Sequence, residues 1–266
     1  MEYIEFIFYG LIQGLTEFIP VSSTAHLKII SNQIGLNDPG PSVSAIIQLG
    51  SVLAIFWYFR NDIRKLYKPR LNNFVFYNSY KKLAKSIFIG TLPIIFLGGI
   101  IRFYIFEFFD SNLRSDISIA IISIFMAILM FFADITKSRF ICIKNHKYID
   151  SFLIGIAQAF AIIPGVSRSG ITISTALLTG WERGDATRFS FLLGIPAISI
   201  PAISELIFSV KNISEYDFYP LVVGLIVTFI SSLISINFLI RYLSSHGMKL
   251  FIYYRFIFAI FILFSL

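Results

Sequence analysis

Two short polar clusters interrupt this apolar chain, and each carries side chains suited to phosphate and proton chemistry. The first reads Gln13-Gly-Leu-Thr-Glu17-Phe-Ile-Pro-Val-Ser22-Ser23-Thr24-Ala-His26. Gln13 and Glu17 stand at i and i+4, on one face of a helix. Glu17 is an acid on an otherwise apolar half-helix, where a carboxylate is costly and reads as functional. Ser22, Ser23 and Thr24 bring hydroxyls to the start of the next half-helix, and His26 follows on its first turn. The second cluster reads Pro164-Gly-Val-Ser167-Arg168-Ser169-Gly170-Ile-Thr172. Arg168 presents a fixed fork of donors matched to phosphate oxygens. Gly165 and Gly170 let backbone approach a ligand closely. Ser167, Ser169 and Thr172 sit where a helix begins, and the N–H groups and dipole of a helix N-terminus favour an anion.

The clusters share a frame and differ in charge. One brings acid and imidazole, the other guanidinium. A site built from both would hold phosphate with Arg168, the hydroxyls and the helix N-termini, while Glu17 and His26 manage protons or a metal. Anion clamping beside an oriented nucleophile is what phosphoryl transfer requires. Taken singly, these residues have plainer readings. Ser and Thr in apolar helices often bond only to backbone, Glu17 could pair structurally with Arg168, and His26 could be a polar packing residue. Ser-Arg-Ser-Gly alone is a weak signal. The recurrence of the pattern in two related breaks favours chemistry.

The elements that must position these residues belong to a membrane protein. Of 266 residues, 56% are hydrophobic and 14% charged, with 30 Phe and a mean hydropathy of +0.79; a soluble domain carries about 25% charged residues. No polar linker divides the chain, so one membrane domain spanning 1–266 is expected. The net charge of +7 is carried by short loops between apolar runs, which membrane topology explains better than nucleic acid. Cys142 is the single cysteine, which excludes an intramolecular disulfide and a multi-cysteine metal site. Glu2 and Glu5 stand where a cleaved signal peptide would carry basic residues.

A span needs roughly 17–25 apolar residues. Six stretches fit: about Ser42–Phe59, Ser86–Phe106, Ile117–Ala133, Phe189–Phe208, Phe218–Ile240 and Leu250–Leu266. Four others are too short to cross alone: Ile4–Ile19 with Ala25–Leu36, and Phe152–Ile163 with Gly170–Gly180. The polar clusters lie in the break of each pair, so each pair is expected to be a re-entrant helical hairpin with its irregular backbone shielded by protein. The halves match at a nearly constant offset: Gln13 with Gln158, Pro20 with Pro164, Ser22 with Ser167, and Leu49-Gly50 with Leu193-Gly194. The expected fold is therefore all-α, with two repeats (about 1–136 and 149–266), each a hairpin plus three spans. Three is odd, so the second repeat is inverted relative to the first.

Loop charges give the orientation. Between Arg60 and Lys85 stand Arg60, Arg64, Lys65, Lys68, Arg70, Lys81, Lys82 and Lys85 against Asp62 alone, which marks a cytoplasmic loop. Threading outward places Glu107, Asp110, Arg114 and Asp116 outside, Lys137, Arg139, Lys144 and Lys147 inside, Glu215 and Asp217 outside, and Arg241–Lys249 inside. Both termini come out external, the first hairpin enters from outside, and the second enters from the cytoplasm. Arg102 and Glu205, near span ends, are expected to snorkel. His146 and His246, in basic loops, are expected to be solvated.

At the two clusters the chain resembles the bacterial undecaprenyl-pyrophosphate phosphatase family, the membrane-embedded type associated with bacitracin resistance. The matching text is Gly14-Leu-Thr-Glu-Phe-Ile-Pro-Val-Ser-Ser-Thr-Ala-His26 and Pro164-Gly-Val-Ser-Arg-Ser-Gly-Ile-Thr-Ile-Ser174, with Ile47-Gln-Leu-Gly-Ser-Val-Leu-Ala54 as a third match. The resemblance extends over nearly the whole chain. It implies hydrolysis of the terminal phosphate of a C55 polyprenyl diphosphate, regenerating the monophosphate carrier lipid of cell-wall synthesis in the bacterial plasma membrane. It also implies a divalent metal, Mg2+ or Ca2+, and a catalytic face open to the outside. The family's paired acidic motif falls on Gln13 and Glu17, and its essential serine, histidine and arginine fall on Ser23, His26 and Arg168. Gln13 replaces a common Glu, which leaves Glu17 as the one acidic candidate for a metal. Ala25 replaces a common Gly, and Val166 a common Thr.

The expected partners are a lipid diphosphate and the bilayer, without nucleic acid; oligomeric state stays open, a homo-oligomer included. Ser23 attacking phosphorus, with His26 or Glu17 as base, and attack by metal-bound water both fit the sequence. The alternative activity is a polyprenyl-phosphate transporter or flippase, since inverted repeats and broken helices serve transport too. A pure anion transporter needs Arg168 but no general base. An anion channel is disfavoured because no ring of repeated charges appears.

Overall fold

The computed structural model describes residues 2–36, 39–67, 74–101, 113–136, 140–209 and 215–265. Among these, regular structure is helical apart from an isolated parallel bridge between Ile141 and Trp181. Eleven α-helices follow in order: α1 (Glu2–Phe18), α2 (Ser23–Gln33), α3 (Gly40–Tyr58), α4 (Arg60–Tyr67), α5 (Phe74–Ile100), α6 (Asp116–Ile135), α7 (Tyr148–Ala159), α8 (Arg168–Leu178), α9 (Arg183–Ser209), α10 (Glu215–Ser245) and α11 (Lys249–Phe264). A 3-10 turn, Phe160–Ile162, extends α7.

Length separates two kinds of helix. Four stretches, within α5, α6, α9 and α10, are long and apolar enough to cross a bilayer. A fifth arises if α3 and α4, bent by 69° at Phe59, count together. The 250–266 stretch, expected as a sixth span, forms a helix of 16 residues, short of the about 20 a perpendicular crossing takes. The helices around the two polar clusters are shorter than a crossing, with 17 and 11 residues in α1 and α2 and 12 and 11 in α7 and α8. The bilayer-facing positions are inverted relative to a soluble protein: Phe88, Phe96, Phe125 and Ile121 are exposed.

The basic segment Arg60–Lys85, expected as a loop, is largely helical. Arg60–Tyr67 forms α4, with Asp62 in its first turn and Arg64 and Lys65 in its last, charges that match the helix dipole. Helix α5 begins at Phe74, so Lys81, Lys82 and Lys85 ride its polar first turns. Lys68 and Arg70 lie outside the described residues, as do Arg102, Glu107, Asp110, Lys137 and Arg139. His146, expected in solvent, is fully buried. Its Nδ1–H donates to the Ile143 carbonyl at 2.7 Å, so Nε2 accepts from the Ser86 hydroxyl at 2.7 Å. The ring lies against Trp181 and Phe189, because the 140–147 loop tucks beneath the α8–α9 corner through the Ile141–Trp181 bridge. His246 is exposed as expected and stacks on Tyr242.

Small residues let the helices approach. Helix α1 packs on α10, where a Cβ on Gly10 would lie 2.5 Å from the Gly224 carbonyl and one on Gly14 would lie 2.7 Å from that of Thr228. Helix α7 packs on α5, where a Cβ on Gly155 would lie 2.7 Å from Gly90 Cα. In hydrocarbon such contacts, with interhelical hydroxyl bonds, are what association rests on. The Ser51 and Ser232 hydroxyls, 2.9 Å apart between α3 and α10, are one such bond. Helix α3 also packs on α9, and α6 on α11. The largest apolar core gathers Phe18 and Val21 of the first hairpin, Ile173 and Leu177 of the second, and Trp181, Phe189 and Phe191 near and on α9.

Candidate active site

Both hairpins break at a tight turn with one residue at positive φ. In the first, the Val21 N–H bonds back to the Ile19 carbonyl at 2.8 Å, and Ser22 adopts φ 79°. Ser22 is the one non-glycine at positive φ among the described residues, a conformation that costs about 1–3 kcal/mol and concentrates at functional sites. In the second, Val166 N–H bonds to the Ile163 carbonyl at 3.0 Å, and Gly165 takes φ 92° at no steric cost. Ser167 then caps α8, its Oγ accepting from Gly170 N–H at 3.2 Å.

The two tips meet. Pro20 Cβ lies 3.4 Å from where a Cβ on Gly170 would stand, so Gly170 serves as the packing surface for the opposite tip. Arg255 of α11, fully buried, joins them: its Nε donates to the Pro20 carbonyl at 2.7 Å and its Nη1 to the Gly165 carbonyl at 3.3 Å. Both turns would otherwise leave a carbonyl unsatisfied in the interior. Sequence reading passed over Arg255; the signal was present, a lone arginine inside an apolar stretch.

Between the tips lies a cleft of about 260 Å³ lined by Glu17, Ser22, Ser23, Thr24, Ser167 and Arg168, with Gln48, Ile94, Ala161, Ile162, Val166, Ala197, Ile198 and Pro201. Glu17 is its hub. The Ser23 hydroxyl donates to Glu17 Oε2 at 2.7 Å, and Gln13 Nε2 donates to the same oxygen at 2.9 Å. Arg168 Nη2 stands 3.6 Å from Glu17 Oε1. Acid, hydroxyl and guanidinium from opposite hairpins are thus one connected group, and both charged members are only 8% exposed.

Arg168 is oriented but under-used. Its Nη1 makes one long bond, 3.4 Å, to the Ser190 carbonyl, and its carbon rests 5.8 Å from the Phe18 ring. Its Nε and Nη2 have no hydrogen-bond partner, although buried donors are almost always paired and charged ones most of all. Gly194 makes room for this side chain: a Cβ there would lie 2.7 Å from Arg168 Cζ and 3.2 Å from Nη2.

The remaining sequence candidates fall outside the cleft. His26 is fully buried, with Nδ1–H donating to the Ser22 carbonyl at 2.7 Å, so Nε2 accepts from Tyr254 hydroxyl at 2.7 Å. Its ring stacks on Phe258 at 4.1 Å. With both nitrogens engaged, it fixes the strained Ser22 turn and ties α2 to α11. The hydroxyls of Ser169 and Ser167 are 3.1 Å apart, and Thr172 bonds to the Arg168 carbonyl and to Ser190 Oγ at 2.8 and 2.6 Å; both support α8. Gln13 reaches the site only through Glu17. Gln48, Ser190 and Gly194 join it from α3 and α9, and the one advance sign was their neighbourhood: Gln48 in the third matching stretch and Leu193-Gly194 in the repeat.

Among the described residues no three His, Cys, Asp or Glu side chains gather into a metal-holding group. Glu17 is the lone carboxylate of the cleft, with one oxygen taking Ser23 and Gln13 and the other facing Arg168. This donor set does not make a protein-built cage for Ca2+, which takes 6–8 oxygens. An ion held there, Mg2+ or Ca2+, would draw most of its ligands from water and substrate phosphate.

The fold and the cleft define a helical membrane protein with a buried acid–hydroxyl–guanidinium group. Comparison with known proteins agrees: the model of the family described as bacitracin resistance protein BacA matches residues 6–261. A Prochlorococcus marinus (strain MIT 9215) protein named undecaprenyl-diphosphatase is 60% identical over 266 residues, all of both chains. A protein of the same name from Synechococcus sp. (strain CC9311) is 42% identical over 257 residues, 96% of this chain and 91% of the other. This chain belongs to the bacitracin resistance protein BacA family.

Proposed function

We propose that the chain is an undecaprenyl-diphosphate phosphatase, removing the terminal phosphate of a C55 polyprenyl diphosphate to regenerate the monophosphate carrier lipid. The observation that carries this is the buried Arg168, ion-paired to Glu17 and with two nitrogens that make no hydrogen bond, across the cleft from a serine whose hydroxyl already points at the same carboxylate. The names of the relatives point to the same substrate.

The geometry favours Ser23 as nucleophile and Glu17 as general base. Ser23 Oγ forms a bond to the terminal phosphorus while its proton passes to Glu17 Oε2, and the bond from phosphorus to the bridging oxygen breaks, releasing prenyl monophosphate. Water then cleaves the phosphoserine, with Glu17 handling the proton. Arg168 turns the donors that lack a hydrogen bond to the phosphate oxygens and neutralises charge as the bridge breaks. A Mg2+ carried in by the diphosphate would find Glu17 as its protein carboxylate and would add neutralisation of phosphate charge. His26 acts as a positioning residue through the Ser22 turn.

We place both termini outside on the strength of the loop charges, and the bacterial plasma membrane and a cleft open to the outside follow from the family resemblance. The inverted repeat draws support from exchanged packing: α1 on α10 mirrors α7 on α5, and the Gly10–Gly224 approach mirrors Gly155–Gly90.

The test is phosphate release from a long-chain prenyl diphosphate by purified protein in detergent, with and without chelator, for wild type and Ser23→Ala. Release that disappears in Ser23→Ala, with a trapped phosphoserine at Ser23, is expected. Full activity in Ser23→Ala removes the serine route, and absence of release under every condition turns the reading toward transport of the lipid.

A further inference from the structure

A second space, wholly apolar, lies along α5 and α7. Pro93, Ile95 and Phe96 form one wall, Phe152, Ile156 and Phe160 the other, around about 700 Å³. That volume is within the about 300–1,000 Å³ typical of small-ligand sites. Its position relative to the cleft is informative. On α5, Ile94 lines the cleft while its neighbours Pro93 and Ile95 line the groove. On the 3-10 turn after α7, Phe160 lines the groove while Ala161 and Ile162 line the cleft. The two spaces therefore share both walls, residue by residue. The wall helices touch at Gly90 and Gly155, and the groove lies beside that crossing, bounded by larger side chains.

We propose that this groove is the subsite for the isoprene units next to the diphosphate, so that headgroup and near tail are bound by adjoining spaces. The proposal rests on the phosphatase reading of the cleft. Its physical basis is orientation. Hydrocarbon is as apolar as these side chains, so moving a tail from lipid into the groove gains little from burial alone. A tail held between Phe96, Phe152 and Phe160 instead aims the diphosphate at Ser23, and alignment of reacting groups is where large rate factors arise. A bilayer acyl chain is the competing occupant.

Two measurements decide. In the first, wild-type protein is photolabelled in detergent by a non-hydrolysable prenyl diphosphonate bearing a diazirine on its second isoprene unit, with a diazirine phospholipid as comparison. Label from the prenyl probe on the Phe152–Phe160 segment, displaced by unlabelled prenyl diphosphate, is expected. Label from the phospholipid alone, or prenyl label elsewhere, overturns the proposal. In the second, Ile156→Trp, which fills the groove, is compared with Ile121→Trp, at an exposed position on α6. Ile156→Trp should lower kcat/KM for a long-chain prenyl diphosphate by about tenfold or more, a misalignment effect, and lower it much less for a C5 prenyl diphosphate, whose single isoprene unit occupies only the near end of the groove. Equal losses on both substrates, equal losses in both variants, or no loss overturns it. Wild type inactive on every diphosphate is a failure of the phosphatase reading itself, and the photolabel pattern then stands as a separate answer about tail binding.

Discussion

Gly194→Ala puts the role of Arg168 to a direct test, because it adds one methyl group behind the guanidinium and removes no chemical group. The new Cβ would lie 2.7 Å from Arg168 Cζ, where ordinary contact is about 3.5–4.0 Å. The guanidinium must therefore retreat by about 1 Å. Its existing anchors have no slack: the Ser190 bond is 3.4 Å long and the Glu17 contact 3.6 Å. The obstacle is the far end of a flexible side chain, so the fold can accommodate the methyl at about 1 kcal/mol, the low end of overpacking costs. Catalysis has no such freedom, since a 1 Å misplacement costs about 100-fold, or about 2.7 kcal/mol of barrier. Phosphate release from a prenyl diphosphate, measured with the thermal unfolding midpoint in the same detergent, should show activity down about 100-fold with the midpoint within a few degrees. Gly184→Ala, which meets no atom within 4 Å, is the matched control. Gly194→Ala with turnover within about threefold of wild type would mean that Arg168 does not need this position, against the misplacement cost assumed here.

Four further outcomes are expected. Glu17→Gln should lower kcat by about 10²–10⁴, the range for a general base, and by more than Gln13→Ala, which removes only a donor to it; the reverse ranking in initial-rate assays would count against Glu17 as base. Arg255→Met should lower both the unfolding midpoint and activity, since it strands two buried carbonyls at about 1–3 kcal/mol each, and added guanidinium should restore part of the activity where methylammonium does not. Burial holds the His146 imidazole below its ordinary pKa of 6.5, so the unfolded chain takes up the proton first as pH drops. Its contribution to stability is therefore complete above pH 6.5 and lost as pH falls from there toward the lower folded-state value. Unfolding midpoints measured across that window should fall less steeply in His146→Gln. Cys142, the single cysteine, sits partly exposed in the 140–147 loop, so an impermeant maleimide should label it only after the membrane of intact cells is opened; labelling of unopened cells reverses the topology.

The sequence by itself determined the solvent, the helical class and the two breaks. Apolar runs of span length separated by short charged loops admit few other structures, because backbone in hydrocarbon must satisfy its own hydrogen bonds. Glu17 and Arg168 were legible for the same reason: ionisable groups beside a break in an apolar helix have no cheap structural excuse, and Ser23 stood out only by its place in the same break. Helix boundaries were less legible where charge met the bilayer edge. Arg60–Lys85 reads as loop by composition, yet α4 and the start of α5 form there because charges can line helices that need no apolar stripe of full width.

Only the tertiary structure decided which polar residues face the cleft. Spacing put His26 beside Ser23, but whether an imidazole meets a ligand or a neighbouring helix depends on what packs over it, and here Tyr254 and Phe258 do. His146 reads as solvated from its basic neighbours and is buried because a remote corner folds over it. Arg255 and Gly194 lie far along the chain from the residues they serve, joining the two tips and making room for Arg168. Contacts between segments this distant leave no periodicity behind them, since local pattern records which face is apolar and not which partner arrives to cover it.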